Sequence, residues 1–362
     1  MLNVIFSLDY EIHGNGDGCP FELMVEPTNR LLDLFDRYGA KLTIMADVAE
    51  ILKFREYKEQ FGRDDYYYDA IVAQLKDAVR RSHDVQLHLH CSYFNARYEN
   101  GKWQQDWSEY NFAGLSETRI SDVLAIGKTF LEEHLQPVDP NYRCYAFRAA
   151  NWAVSPSRNV VRGLINNGFE VETSVFKYGR REGLVNFDYS QAPSNMVPWR
   201  ANENDICRAD ESGPLLEVPI YCEARYLPAF ISPNRIYRAL SGRKHRLNYS
   251  SNGASRQRPG PWSKLASAFK RHAWKADFNQ CTGAQLIGAL KRAATTHHHE
   301  GQSLPFVLIG HSKLFTRQNE RSLRSFLEFV AARPKAFRFG KYRDCYQPKA
   351  RTESRRVAAA TA

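Results

Sequence analysis

The sequence contains no Cys-x-x-Cys pair, and its seven cysteines are scattered along 362 residues. An odd number of dispersed cysteines fits a reduced compartment better than a disulfide framework. Cys91, beside a histidine-rich motif, is more simply explained as a buried thiol than as a metal ligand. We therefore expect a cytoplasmic protein without disulfides.

Long hydrophobic runs are also missing. No apolar run approaches the roughly 20 residues that a helix needs to cross a bilayer, and strand-like sequence begins at residue 2 where a signal peptide would have a charged region. The hydrophobic content of 43% nevertheless supports a substantial core. We expect a soluble, globular protein.

Acidic residues are missing from one long segment. Residues 241–275 contain nine lysines and arginines and no acid, and residues 335–356 contain eight against two acids. Most of the chain is therefore slightly acidic, although its net charge is +10. A basic stretch attracts phosphates of nucleic acids, lipid head groups or nucleotide sugars. The serine, asparagine, glycine and proline residues at 250–261 favour a simpler explanation, a solvated insertion.

Strand-like and helix-like segments alternate along the rest of the chain, ending with a strand over 304–313 and a helix over 319–333. About seven such units predict an α/β fold, a distorted (β/α) barrel with its site at the C-terminal ends of the strands. We expect one domain over residues 1–346, with residues 241–275 as an insertion and residues 347–362 as a disordered tail.

Two carboxylates close the first predicted strand. In "FSLDYEIHG", Asp9 and Glu11 stand two residues apart, so a strand places both side chains on one side. Two ionised carboxylates this close repel each other unless a cation, a shared proton or solvent relieves them. Acidic strand ends that face water or cap a helix are equally common, so the pair alone leaves both interpretations open.

Two histidines close a later strand. In "HDVQLHLH", His88 and His90 alternate with leucines, which places both imidazoles on one face. Together with Glu11 they form a His-His-carboxylate set, the usual composition of a hydrolytic zinc site. The sequence "HHHE" at 297–300 is better explained as a solvated loop, because it follows a helix and precedes "GQSLP".

Two further strand ends carry side chains that can do chemistry. The strand "PFVLIGHSK" presents His311, at a place suited to a general acid or base. The strand "CYAFRAANW" presents Arg148, whose guanidinium would be costly to bury without a carboxylate partner. Asp9 is the natural candidate for that partner.

Aromatic residues cluster in one predicted loop, residues 91–112, which contains Trp103 and Trp107 with several tyrosines. Such clusters form walls on which sugars stack, and they also pack loops onto a core. The sequence leaves both roles open for each tryptophan.

The motifs taken together resemble the polysaccharide deacetylase family of carbohydrate esterases. The resemblance rests on the order of Asp-x-Glu on the first strand, a histidine pair near residue 90, an arginine on a later strand and a final "LIGH". It runs from about residue 2 to residue 333, and "FRAANW", "ETSVF" and "LLEVPIY" are similar to blocks of one divergent branch. It implies a distorted (β/α) barrel that removes N-acetyl groups from sugars with a metal-bound water.

The resemblance assigns roles to individual residues. It makes Asp9 the catalytic base, Arg148 the residue that positions this base, and His311 the general acid. The ligands that it implies for a divalent metal, in the first place Zn²⁺, are Glu11, His88 and His90.

Two positions depart from the family pattern. The second aspartate of the family, a metal ligand, falls on Tyr10, and the second histidine of its His-x-x-x-His motif falls on Ser92. We expect Glu11 and His90 to take over these two roles.

The resemblance also implies residues that serve the substrate. A backbone donor for the oxyanion is expected near Asn151 or Trp152, and Glu172 is expected to orient His311. The side chains expected at the substrate are Trp103, Trp107, Trp152 and Glu172.

The sequence thus predicts a metal-dependent deacetylase acting on an N-acetylated sugar of a polysaccharide or its precursor. One alternative is an inactive glycan-binding barrel, because Tyr10 and Ser92 stand at two ligand positions. Another is a barrel glycosidase with Asp9 and Glu11 as its acid pair, although two neighbours on one side of a strand flank a sugar poorly.

The basic segment 241–275 suggests how a substrate could be delivered. We expect it to attract a sugar carried on a lipid pyrophosphate or a nucleotide, or to contact the inner face of the membrane. A nucleic-acid partner is not expected.

Overall fold

The computed structural model describes residues 1–12, 14, 16–241, 270–297 and 303–346. Most of the predicted basic insertion, the last three residues of "HHHE" and the whole predicted tail 347–362 lie outside the described residues.

The described residues form fifteen strands and eight α-helices. The strands are β1 (Leu2–Tyr10), β2 (Leu42–Asp47), β3 (Asp84–Leu89), β4 (Arg97–Glu99), β5 (Lys102–Gln104), β6 (Ala146–Ala149), β7 (Val171–Glu172), β8 (Arg180–Arg181), β9 (Phe187–Asp188), β10 (Trp199–Arg200), β11 (Leu216–Glu217), β12 (Cys222–Arg225), β13 (His272–Lys275), β14 (Leu304–His311) and β15 (Phe337–Gly340). The helices are α1 (Glu26–Tyr38), α2 (Val48–Phe61), α3 (Tyr68–Arg80), α4 (Glu117–Leu135), α5 (Arg158–Asn166), α6 (Pro233–Ser241), α7 (Gly283–Thr296) and α8 (Arg317–Ala331).

A strongly curled sheet occupies the centre of the molecule. Its strands follow the order β10-β11-β7-β6-β3-β2-β1-β14, and β15 pairs with the first half of β1. All neighbours pair in parallel except β10, which is antiparallel to β11. Eight parallel strands alternating with helices in an open half-barrel confirm the predicted distorted (β/α) barrel.

The central strands are buried on both faces. Every residue of β1, β2 and β3 is buried, as expected for parallel strands covered by crossover helices. Helix α1 shows how the local sequence sets these crossovers. Pro27 stands in its first turn, and Gly39 ends it in the left-handed conformation (φ 66°) that glycine adopts without strain.

The register of the sheet aligns the strand ends that carry polar side chains. Asp9 of β1 lies opposite His311 of β14, and His88 of β3 lies opposite both Asp47 of β2 and Arg148 of β6. Because all these strands are parallel, their C-terminal ends meet at one edge, where such barrels place their sites.

Irregular segments cover the outer edge of β14. The backbone N–H of Tyr221 donates to the carbonyl of Val307 (3.1 Å), and that of Phe278 donates to Ile309 (2.9 Å). This pairing brings the turn that contains Asn279 beside the end of β14.

No described helix is both long and apolar enough to cross a membrane. The seven cysteines are free thiols in the structure.

Candidate active site and metal centre

A cleft of about 540 Å³ opens at the C-terminal edge of the sheet. Seven of the residues singled out from the sequence line it: Asp9, Glu11, His88, His90, Asn151, Trp152 and His311. The ends of three strands, β1, β3 and β14, and the turn after β6 therefore contribute to one site.

Glu11, His88 and His90 form a compact cluster on the floor of the cleft. One ligand atom from each lies within 4.8 Å of the others. The Oε2 atom of Glu11 is 3.0 Å from Nδ1 of His90 and 3.6 Å from Nε2 of His88. This buried oxygen has no hydrogen-bond partner in the described chain, which is costly for a carboxylate unless a cation satisfies it.

Neighbouring groups fix the two imidazoles. Nδ1 of His88 is 2.8 Å from the Arg148 carbonyl and therefore donates to it, which leaves the Nε2 lone pair facing Glu11. His90 is held by Asp47, whose carboxylate accepts from the His90 backbone N–H (3.1 Å) and contacts Nδ1 (2.7 Å). Carbonyl and carboxylate partners of this kind orient histidines that ligate metals. The donor set therefore fits a divalent cation.

Lys313 completes the pairing of Glu11. Its ammonium donates to Glu11 Oε1 (2.7 Å) and to the Ile12 carbonyl (2.8 Å), which leaves Oε2 for the histidine side. Burial raises the pKa of Glu11, but Lys313, His90 and His88 outweigh burial and hold this pKa well below its usual value. Glu11 is thus an ionised carboxylate with one oxygen available to a cation.

Asp9 is paired with Arg148. The guanidinium is fully buried and donates to Asp9 Oδ1 (2.7 Å), and its other donors bind Ser7, Thr173 and Tyr342. Burial raises the pKa of Asp9, but Arg148, followed by His311 and His88, lowers it below the usual value. Asp9 is therefore a fixed, ionised carboxylate that can accept a proton.

His311 faces both carboxylates. Its Nε2 atom lies 3.5 Å from Asp9 Oδ2 and 3.8 Å from Glu11 Oε1. Its backbone N–H donates to the Asn279 side chain (2.6 Å), and Trp152 packs edge to face against its ring at 5.9 Å. Burial lowers the pKa of His311 in spite of the opposing influence of Asp9 and Glu11.

Glu172 occupies a different place from the one expected. Its carboxylate accepts hydrogen bonds from the backbone and hydroxyl of Ser174, and it lies opposite Glu217 in the register of β7 and β11. Glu172 is therefore fully buried in the core and does not line the cleft. Asn279 and Trp152 make the contacts that hold His311.

The predicted tryptophans divide into two groups. Trp152 lines the cleft, whereas Trp103 is 7% exposed and packs against Tyr98 (ring centroids 5.2 Å apart) and Tyr66 (5.6 Å). Trp107 is partly buried, and its ring is tilted against that of Tyr110 with the ring centroids 5.2 Å apart. Neither Trp103 nor Trp107 lines the cleft, and the buried Trp103 ring packs the loop.

The two departures from the family pattern lie away from the metal cluster. Tyr10 points into the core, where its hydroxyl donates to Gln74 (2.6 Å). Ser92 is buried in the loop after β3 and donates to Gln105 (2.8 Å). Glu11 and His90 stand in the cluster itself, so the donor set is complete without Tyr10 or Ser92.

The turn after β6 is held in an uncommon backbone conformation. Asn151 and Trp152 both have positive φ values, 56° and 58°, which are costly for residues other than glycine and often mark functional sites. The Asn151 side chain is fixed by hydrogen bonds from Arg181 (3.0 Å) and Tyr110 (3.1 Å). The turn thus presents its backbone and the Trp152 ring to the cleft.

Sequence reasoning did not find Asp47, Lys313 and Asn279. Asp47 ends the apolar strand "LTIMAD" as Asp9 ends β1, and that pattern could have found it. No sequence pattern of this kind marks the other two residues. Lys313 lies beyond the end of β14, and Asn279 lies in a turn.

Solved structures share the fold. A candidate polysaccharide deacetylase from Mycobacterium smegmatis is 13% identical, with a TM-score of 0.50 over 95% of this chain and 88% of the other. A GH57-type branching enzyme from the archaeon Pyrococcus horikoshii is 12% identical, with a TM-score of 0.50 over 94% and 69% of the two chains. No protein-family model matches the sequence, and no curated protein matches it either.

These comparisons show that the chain shares a distorted (β/α) barrel fold with a candidate polysaccharide deacetylase and with a branching enzyme. The resemblance noted from the sequence is therefore confirmed at the level of the fold. Because a branching enzyme has the same fold, the choice between deacetylase and glycosidase chemistry depends on the site.

Proposed function

We propose that this protein is a metal-dependent deacetylase that hydrolyses the N-acetyl group of a sugar in a polysaccharide or its precursor. One observation carries the proposal. A carboxylate held ionised by a buried arginine, Asp9, lies in the same cleft as the Glu11, His88 and His90 cluster, and His311 faces it.

The metal would be held by Glu11 Oε2 and by the two imidazoles, and three protein ligands of this kind suit zinc with an open position. When bound, such a cation supplies a Lewis acid for the amide carbonyl and lowers the pKa of water. The Glu11 Oε2 atom supports its presence, because this buried oxygen faces both imidazoles and accepts no hydrogen bond within the described chain.

The remaining steps belong to the chain's own residues. Asp9 removes a proton from the attacking water, since Arg148 keeps it ionised and fixed in position. The proton passes from Asp9 to His311, whose Nε2 atom lies 3.5 Å from Asp9 Oδ2, and His311 delivers it to the departing amine. Trp152 packs against the His311 ring. The backbone of the strained turn at Asn151 and Trp152 lies on the cleft wall, where a donor to the oxyanion is needed.

The charge states of Asp9 and Glu11 argue against a glycosidase mechanism. A glycosidase needs one protonated carboxyl with a raised pKa. The pKa values of Asp9 and Glu11 are both lowered, because each carboxylate has a cation partner. Neither residue is therefore suited to be the general acid.

A cytoplasmic location fits the seven free thiols, which suit a reducing compartment. A cytoplasmic location and the basic segment of the sequence both favour one class of substrate. That substrate is a precursor of a surface polysaccharide, assembled on an anionic carrier.

An acetate-release assay with soluble N-acetylated oligosaccharides tests the proposal. The purified protein should release acetate, lose this activity to a chelator and regain it with added zinc. Release of new reducing ends without acetate would favour a glycosidase. Glycan binding without any acetate, from protein with full metal content, would favour the inactive barrel.

A further inference from the structure

An apolar surface lies beside the mouth of the cleft. It comprises exposed side chains of α6 and of the 3₁₀ turn before it, namely Tyr226, Leu227, Ile231, Ile236 and Leu240. We call these five residues the α6 surface. Ile231 is 68% exposed and Leu240 is 66% exposed, values that are unusual for large aliphatic side chains.

Helix α6 joins this surface to the active site. Asn234, Tyr237 and Arg238 lie on one side of the helix and line the cleft. Ile236 and Leu240 are four residues apart, so they share an adjacent side that faces outward. Anything that covers the α6 surface therefore lies directly at the entrance to the cleft.

Positive charge surrounds the α6 surface. Lys270 and Arg271 are exposed, and the Arg271 guanidinium lies 5.3 Å from the centre of the Tyr226 ring. Arg235, on α6 itself, lies 4.9 Å from the centre of the Phe230 ring. The sequence from residue 224 to residue 276 contains no aspartate or glutamate. Nothing acidic in this stretch of sequence offsets these cations.

We propose that the α6 surface docks on an anionic lipid bilayer. Aliphatic and aromatic side chains enter the boundary between head groups and acyl chains, and arginines and lysines beside them attract anionic head groups. A protein partner could cover the apolar residues as well, but the absence of acidic residues favours a uniformly negative surface. Docking of this kind turns the mouth of the cleft toward the head groups.

The docking proposal does not depend on catalysis. If the proposed deacetylase function also holds, a sugar attached to a lipid could reach Asp9 and the metal cluster without leaving the bilayer. Binding to vesicles is therefore measured without substrate, and acetate release is measured separately on a soluble substrate.

Flotation of the full chain with vesicles tests the proposal. Wild type should float with vesicles of phosphatidylcholine and phosphatidylglycerol, and much less with phosphatidylcholine alone. Ile236→Ser combined with Leu240→Ser should reduce the bound fraction about tenfold or more. The matched control is Ile126→Ser on α4, which removes another exposed helical isoleucine (43% exposed) and should bind as wild type does.

Charge is tested in the same assay. Lys270→Gln combined with Arg271→Gln should weaken binding to anionic vesicles by about tenfold or more, since each basic residue near such a surface contributes roughly fivefold. Both double variants should release acetate from a soluble oligosaccharide as wild type does, because neither changes a residue of the cleft.

Three results would overturn the proposal. Wild type could fail to float with anionic vesicles, or the Ile236 and Leu240 variant could bind as tightly as wild type. Alternatively, wild type could fail to bind vesicles and form a dimer that the Ile236 and Leu240 variant does not form. A second copy of the chain would then be the partner that covers the α6 surface.

Discussion

Single residues in the cleft owe their charge state to their partners. Asp9 is paired with Arg148 and Glu11 with Lys313. Buried ions are tolerated when pairing and hydrogen bonds replace their hydration. The two carboxylates at the end of β1 can therefore stay ionised side by side, because each has its own cation.

Metal binding should fail when one imidazole is removed. We expect His90→Ala to lower zinc affinity by more than the roughly 10–100-fold that loss of an outer partner costs, because a ligand itself is lost. Metal content after dialysis against limiting zinc measures the effect. His134→Ala is the matched control, since His134 lies on α4 and bonds to Phe130 and Tyr68 outside the cleft. Full zinc occupancy in the His90 variant would show that the cluster is not the metal site.

Catalysis should fail separately when the base is removed. Asp9→Asn keeps the shape of the side chain and an acceptor for Arg148, but it cannot take up a proton. We expect a drop in kcat of roughly 10²–10⁴ with metal content close to wild type. Thermal stability should fall, because the buried Arg148 guanidinium loses its carboxylate partner. If the variant instead loses its metal, Asp9 is a ligand and not the base.

At the scale of elements, strands and loops contribute differently to the site. The chemistry comes from the ends of β1, β3, β6 and β14, whose relative heights are fixed by the register of the sheet. The loop over residues 91–112 supplies packed aromatic rings, and Tyr110 of this loop lines the cleft.

The packing role of this loop can be tested at Trp103. Its ring is buried among Tyr66 and Tyr98, so Trp103→Ala should lower the free energy of unfolding by about 3–5 kcal/mol. The KM for a soluble substrate should change little. Trp152→Ala, at the cleft, should show the opposite pattern, a large kinetic effect with a smaller loss of stability. Urea unfolding and steady-state kinetics on both variants decide between packing and substrate contact.

Much of this arrangement follows from local rules that the sequence itself displays. Side chains alternate along a strand, so the alternation alone pairs Asp9 with Glu11 and His88 with His90. Lys313 could not be found this way. It meets Glu11 only because β14 lies beside β1, a contact between residues about 300 positions apart. The neighbour of Glu172 could not be found this way either, since the pairing of β7 with β11 brings Glu217 to it.

At the scale of the whole molecule, the pair of buried carboxylates at Glu172 and Glu217 affects stability. Burial, followed by the Glu172 charge, raises the pKa of Glu217 well above its usual value of 4.5. The folded protein therefore keeps a proton that the unfolded chain releases. This contribution to stability is complete below the unfolded pKa and is lost as pH rises through the folded pKa.

Glu217→Gln should remove this dependence. The amide keeps a donor toward Glu172 without having to hold a proton, so the variant should gain stability relative to wild type as pH increases from about 5 to about 8. Urea midpoints at both pH values measure the difference. Glu182→Gln, an exposed change, provides the control. A constant difference at both pH values would show that Glu217 is ionised in the fold.

Arg148 serves the site twice. Its guanidinium holds the catalytic carboxylate, and its main-chain carbonyl fixes the tautomer of His88. The first contact depends on the identity of the side chain, whereas the second depends only on where strand β6 lies. A substitution at position 148 should therefore impair proton transfer by Asp9 without affecting metal binding. An insertion in β6 should impair both, because it would also move the carbonyl that orients His88. A natural variant with a substitution at position 148 could therefore still bind zinc, although it would not be an active enzyme.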